Sequence, residues 1–233
     1  MNVAIVVAAG KGTRLGGNRP KQFLELDGIP VIIHTLRQFE RSREINEVVI
    51  VLPAPLTEES ADTFLSFAKE FGLEKPNQAV AGGATRAQSV QRGLAAIAEA
   101  EVVAVHDGVR PFVTPEEIGQ VVAAARVCGA AVLVASVADT IKEIEGDRVL
   151  RTLPRSGLRR ALTPQCFRFD ILKRAYQQLT QVEAEGFEVT DDCLLVERLG
   201  VEIVAVEGSA RNIKITREED LMLGEALLRS FVL

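Results

Sequence analysis

A chain of 233 residues, 47% hydrophobic, with formal net charge -5 and a pI near 5.3, can build one large α/β domain, or one domain with an arm. The acidic balance excludes the basic surface that non-specific nucleic-acid binding needs, and no apolar stretch approaches the roughly 18 residues that span a bilayer. Cys128, Cys166 and Cys193 are odd in number, far apart and without C-x-x-C spacing, which predicts a reduced cytoplasmic protein with no zinc site.

The opening MNVAIVVAAGKG reads as a first β-strand, Val3–Ala8, running into a glycine loop rather than as a signal peptide. Buried strands are also expected at Glu47–Leu52, Val102–His106, Ala130–Val137 and Glu202–Val206. Each is a short, nearly continuous run of Val, Ile and Ala, as strands covered on both faces should be. Amphipathic helices fall between them. Thr85 to Gln88, Thr114 to Glu117 and Thr216 to Glu219 fit capping boxes, with Pro115 at a first helical position. This alternation predicts an α/β fold with a doubly wound, mostly parallel sheet.

The loop after the first strand holds Ala8, Ala9, Gly10, Lys11, Gly12, Thr13, Arg14 and, further on, Arg19, Pro20 and Lys21. Glycines at the carboxyl end of a first parallel strand let backbone N–H groups approach a phosphate. A dinucleotide fingerprint fits poorly, because the third glycine falls one place late and Gly17 and Pro20 delay any helix. The G-x-x-x-x-G-K-[ST] loop is absent. A loop for a triphosphate under attack explains the crowding of four cations, which would lower repulsion between two anions. A solvated loop with scattered basic residues is the plainer reading.

Further along, Gly82 and Gly83 form a second glycine turn entering a helix. Such a turn favours an anion or presents backbone groups to a nucleobase edge. The third strand ends in His106-Asp107-Gly108-Val109-Arg110. Asp107 at this tip is placed to hold a divalent metal or a hydroxyl, or to pair with Arg110 in a turn, while His106 reads as a packed strand-end histidine. Residues 139–155 alternate, turn at Glu145-Gly146-Asp147 and alternate again, which predicts a β-hairpin. A lone ribbon is marginal in water, so it reads as an arm that finds a partner chain, or as a ribbon folded onto its own domain. Lys214, between Ile213 and Ile215, faces either a cleft or solvent.

Taken together, AAGKGTRLG, PKQFLEL, GGATRAQSV, HDGVRPF, DTIK, ALTPQ, VTDD and NIKIT resemble the 2-C-methyl-D-erythritol 4-phosphate cytidylyltransferases, in order from residue 4 to about residue 217. The resemblance implies a single nucleotide-diphospho-sugar-transferase-like domain, 1–233, with an inserted arm at 139–155 that makes a homodimer. It implies that the acceptor's phosphate attacks the α-phosphorus of CTP, with Mg2+ present, giving CDP-methylerythritol and pyrophosphate for isoprenoid biosynthesis. Arg14 and Lys21 match positions that stabilise the pentavalent α-phosphate. Arg155 and Lys214 match positions that hold the acceptor phosphate, with Arg155 serving the neighbouring subunit. Ala8, Ala9, Gly10, Gly12, Thr13, Arg86 and Gly108 fall in substrate-binding motifs. Gly82, Ala84 and Ser89 match the surroundings of the cytosine. Asp107, Arg110, Thr140 and Thr163 match the acceptor and ribose side, Thr190 a position near the acceptor phosphate. Asp107 is also the candidate metal contact, with Mg2+ held mainly by the CTP phosphates.

Two departures stand out: Ala84 where some members carry an acidic residue, and Gly108-Val109 where Ala-Ala is common. Ribitol 5-phosphate cytidylyltransferases share nearly the same motifs and remain an alternative. A non-catalytic nucleotide-binding module would not need Arg14, Lys21 and Lys214 together.

Overall fold

The computed structural model describes residues 1–10 and 21–231. In chain order the described elements are β1 (Asn2–Val7), β2 (Glu25–Leu26), β3 (Ile29–Pro30), α1 (Val31–Arg41), β4 (Glu47–Leu52), α2 (Glu58–Glu70), β5 (Pro76–Ala81), α3 (Arg86–Ala95), β6 (Val102–Asp107), α4 (Pro115–Cys128), β7 (Ala130–Ser136), β8 (Ile141–Glu145), β9 (Arg148–Leu153), β10 (Arg159–Arg168), α5 (Phe169–Gln177), α6 (Leu179–Ala184), α7 (Asp192–Glu197), β11 (Val204–Glu207) and α8 (Glu218–Phe231). Seven strands form one sheet in the order β11-β7-β10-β6-β1-β4-β5. β10 runs antiparallel to both its neighbours, and the other pairings are parallel.

The pleat of β1 divides the core. Ala4 and Val6 point to the face covered by α1, α2 and α4, whereas Val3 and Ile5 point to the face covered by α3, α5, α6 and α7. A strand buried on both sides can carry almost no polar residue, which is why β1, β4 and β6 read as continuous apolar runs. From β1 the chain moves outward through β4 and β5, then returns to lay β6 on the other side of β1. That reversal opens a crevice beyond the carboxyl ends of β1 and β6.

Several expectations need correction. β10 is a central strand that is not among the expected ones, although it contains Pro164; the register shifts between Ala161 and Gln165, so a bulge absorbs the proline. β11 lies at the sheet edge and is largely exposed rather than buried. At α8 it is Asp220, not Glu219, that turns back: its Oδ2 accepts from the N–H groups of Thr216 and Arg217 at 2.7 and 2.8 Å. Thr114 and Glu117 do form a complete capping box.

β8 and β9 pair only with each other, from Ile141 opposite Leu153 to Glu145 opposite Arg148, across a turn at Gly146 with φ 56°. Ile144, Val149 and Leu150 on this ribbon are 62%, 61% and 54% exposed, so these three apolar side chains are largely uncovered among the described residues.

Candidate functional site

The crevice holds a cleft of about 650 Å³ bordered by the residues that follow β1, β4, β5 and β6. Its floor is fixed by backbone hydrogen bonds. The Ala8 N–H donates to the Val51 carbonyl (2.8 Å), Gly82 N–H to Leu52 (2.7 Å) and Gly108 N–H to Val7 (2.8 Å). Ala8, Ala9 and Gly10 form one wall, and Gly82, Ala84, Arg86 and Ser89 the opposite one. The walls touch where Gly82 passes Ala9: a Cβ on Gly82 would lie 2.2 Å from the Ala9 Cβ. Only glycine permits that approach. The turn is held by Ser89, whose hydroxyl donates to the Thr85 carbonyl (2.9 Å) and accepts from Gly83 N–H (3.0 Å). Arg92 adds a bond to the Gly82 carbonyl at 2.7 Å.

Asp107, at the end of β6, gathers three cations. Its Oδ1 meets Arg86 Nε at 3.1 Å, and its Oδ2 meets Arg110 Nε at 3.2 Å and Lys214 Nζ at 2.9 Å. Burial alone would raise this carboxyl, but the charges of Arg86, Lys214 and Arg110 outweigh it and hold Asp107 well below the usual carboxylate range. Lys214 faces the cleft because Ile215 on the opposite side of the chain is fully buried.

Behind Asp107, the Nε2 of buried His106 faces the Arg110 carbonyl at 3.1 Å, and a carbonyl can only accept. Nε2 therefore carries the proton. Burial, working against that hydrogen bond, pushes His106 down to about 4, so the ring is neutral. Its Nδ1 then accepts from the Thr163 hydroxyl (2.9 Å), whose oxygen accepts from Asp107 N–H (3.2 Å).

Sequence reasoning missed the support behind Arg86. Its Nη1 donates to Asp192 Oδ2 at 2.9 Å, and the hydroxyl of Tyr176 donates to Asp192 Oδ1. Burial works against the Arg86 charge, but Asp192 and Asp107 more than compensate and its pKa is raised. Gln165 holds this segment by accepting from the N–H groups of Asp192 and Cys193 and donating to Asp191. No local pattern announces partners that lie so far apart in the chain.

Of the expected site residues, Ala8, Ala9, Gly10, Gly82, Ala84, Arg86, Ser89, Asp107 and Lys214 come together in the cleft. Arg110, Thr163 and Gly108 stand behind Asp107 as its support rather than along the lining. Arg155 lies at the base of the arm, exposed, with its guanidinium donating to the Ala138 carbonyl. Thr140, also exposed, begins the arm, and neither lines this chain's cleft. Thr190 is exposed, just before the Asp191 cap of α7, and does not line it either. Gly12, Thr13 and Arg14 lie outside the described residues, as do Lys11, Arg19 and the side chain of Lys21.

Asp107 does not fit a metal ligand. Both its oxygens are occupied by cationic side chains, which would repel a divalent ion. Among the described residues no group of three or more His, Cys, Asp or Glu side chains could hold one. No described helix is long and apolar enough to cross a membrane.

Comparison with known proteins agrees with the motifs. Residues 2–230 match the family model described as 2-C-methyl-D-erythritol 4-phosphate cytidylyltransferase. A Bacillus velezensis protein of that name is 43% identical over 229 residues, covering 98% of this chain and 96% of the relative. A 4-diphosphocytidyl-2C-methyl-D-erythritol synthase structure from Anaerococcus prevotii superposes with TM-score 0.82 at 31% identity, covering 98% of this chain and 96% of the other. The 2-C-methyl-D-erythritol 4-phosphate cytidylyltransferase of Thermus thermophilus superposes with TM-score 0.75 at 36% identity, covering 97% and 98%. With a mostly parallel sheet, a glycine-walled cleft at its reversal point and matches along nearly its whole length, this chain belongs to the 2-C-methyl-D-erythritol 4-phosphate cytidylyltransferase family of nucleotidyltransferases.

Proposed function

We propose that this enzyme transfers CMP from CTP to 2-C-methyl-D-erythritol 4-phosphate, giving CDP-methylerythritol and pyrophosphate for isoprenoid biosynthesis. The observation that carries the reading is the meeting, in one cleft, of a glycine wall suited to a nucleotide with Lys214, Arg86 and Asp107. The 82–89 turn offers backbone groups and little space, which suits a small base. The Ala8–Gly10 wall opens the loop that takes the triphosphate.

The acceptor is already an anion at neutral pH, so the reaction needs no covalent nucleophile and no strong base. Its difficulty is bringing two anions together in line. In this reading Lys214 leans on Asp107 until the acceptor phosphate arrives, and its ammonium then turns to that phosphate. Arg86 stays tied to Asp107 and Asp192 and keeps the β6 tip fixed. Arg14 and Lys21 neutralise the pentavalent α-phosphate. Mg2+ brought in with CTP would offset part of the triphosphate's charge. Arg155 reaches the acceptor site of a second subunit through the 139–155 arm, whose exposed Ile144, Val149 and Leu150 supply an apolar surface for a homodimer.

Pyrophosphate release from CTP tests the reading. Turnover should be substantial with 2-C-methyl-D-erythritol 4-phosphate and much weaker with ribitol 5-phosphate. Faster release with ribitol 5-phosphate would reassign the acceptor, and no release with either would remove the proposal.

A further inference from the structure

Gln22 lines the cleft and is fully buried, yet neither its Oε1 nor its Nε2 has a hydrogen-bond partner. Other buried side chains with an unpartnered polar atom differ from it. Asn2 and Asn212 each leave only the oxygen unpaired, because their Nδ2 groups donate to the Glu44 and Thr163 carbonyls. Among the described residues, Gln22 alone leaves both ends of an amide empty. Its neighbour Phe23 is anchored edge-on against Phe64, ring centroids 6.1 Å apart, which fixes the segment that carries the amide. Sequence motifs single out the lysine before it and say nothing of the glutamine.

A buried amide left unpaired destabilises a fold, so its retention needs a benefit elsewhere. The donor and acceptor together define the missing partner. A phosphate oxygen only accepts and would satisfy Nε2 alone, whereas a hydroxyl both accepts and donates. We propose that Gln22 is a substrate-contacting residue of this cleft and that it binds a hydroxyl group, either of the CTP ribose or of the polyol acceptor. The inference rests on the cytidylyltransferase reading above and adds to it a residue that selects hydroxylated substrates. Loss of such a bond leaves a buried polar group empty in the complex, which is how polar sites reject analogues lacking the group.

The test is Gln22→Met, which keeps the volume and removes the amide. Wild-type turnover with CTP is measured first, so that failure of the reaction itself is recognised separately. With the amide gone, the free protein should melt about 2–4 °C higher, while kcat/KM falls roughly 10- to 100-fold. If the hydroxyl belongs to the ribose, 2′-deoxy-CTP or 3′-deoxy-CTP closes the gap between wild type and variant. If it belongs to the acceptor, the gap persists with both analogues and appears in the acceptor KM. A lowered melting temperature would mean that the amide is bonded within the free protein, and an unchanged kcat/KM would mean that no substrate meets it. Either result overturns the proposal.

Discussion

Arg86 and Asp192, 106 positions apart in the chain, meet at 2.9 Å inside the wall of the cleft, where Tyr176 closes the pair from behind. Asp192 is fully buried, and its charge is matched by the same guanidinium that steadies Asp107. Removing one member of a buried pair strands the other. Asp192→Ala should therefore destabilise the protein by about 3–5 kcal/mol in urea unfolding, and Asp192→Asn, which keeps the shape, by clearly less. A loss for Asp192→Ala within ordinary surface-mutation scatter would show that the pair does not support the wall.

Gly82→Ala places a methyl group 2.2 Å from the Ala9 Cβ, against backbone that the sheet holds in place. One wall must move, at a cost of about 1–3 kcal/mol. The variant should fold, with a raised CTP KM and a kcat/KM lower by roughly 100-fold. Circular dichroism checks the fold and steady-state kinetics the loss; unaltered CTP kinetics would remove Gly82 from the nucleotide wall.

His106 gives the stability a pH dependence of known sign. Its pKa lies at about 4 in the native protein, because burial outweighs the hydrogen bond to the Arg110 carbonyl, against an ordinary 6.5 in the unfolded chain. In that interval the unfolded chain binds a proton that the native protein does not. The contribution is present above pH 6.5 and is lost as pH falls towards 4, amounting to about 3 kcal/mol. His34, also lowered by burial, adds in the same direction. Unfolding free energies of wild type and His106→Asn should therefore converge between pH 7 and pH 4.5, and parallel profiles would contradict the assignment.

The exposed position of Arg155, away from its own chain's cleft, fits a role across a dimer. Arg155→Ala should raise the acceptor KM with little change for CTP. Lys214→Ala should do the same from within the subunit. Mixed dimers of the two variants should regain activity, because one of their two sites contains both wild-type groups. If mixtures are no more active than either parent, Arg155 does not act in trans.

Legibility in the sequence followed the range of the interactions. β4 was readable to the residue, since a doubly covered strand leaves an unbroken apolar run. The partnership of Asp107 with Arg110 was readable from their spacing, whereas those with Arg86 and Lys214 depend on how the sheet closes. The same closure turned Asp107 from a possible metal ligand into the centre of a cationic cluster. β10 was hidden by Thr163-Pro164, because a bulge that tolerates proline has no signature of its own. β11 read as buried because its Val-rich run matches an inner strand, and only the sheet order reveals it as an edge. Several of the family motifs fall on residues that line the cleft, but they do not distinguish these from Thr163 and Arg110, which stand one layer behind them.

The most direct measurement is a crystal structure of the protein with CTP bound. The nucleotide should lie between the Ala8–Gly10 wall and the 82–89 turn, its base against Gly82 and its α-phosphate turned towards the side where Lys214 meets Asp107. Density for CTP at any other place, with this cleft still empty, would contradict the account.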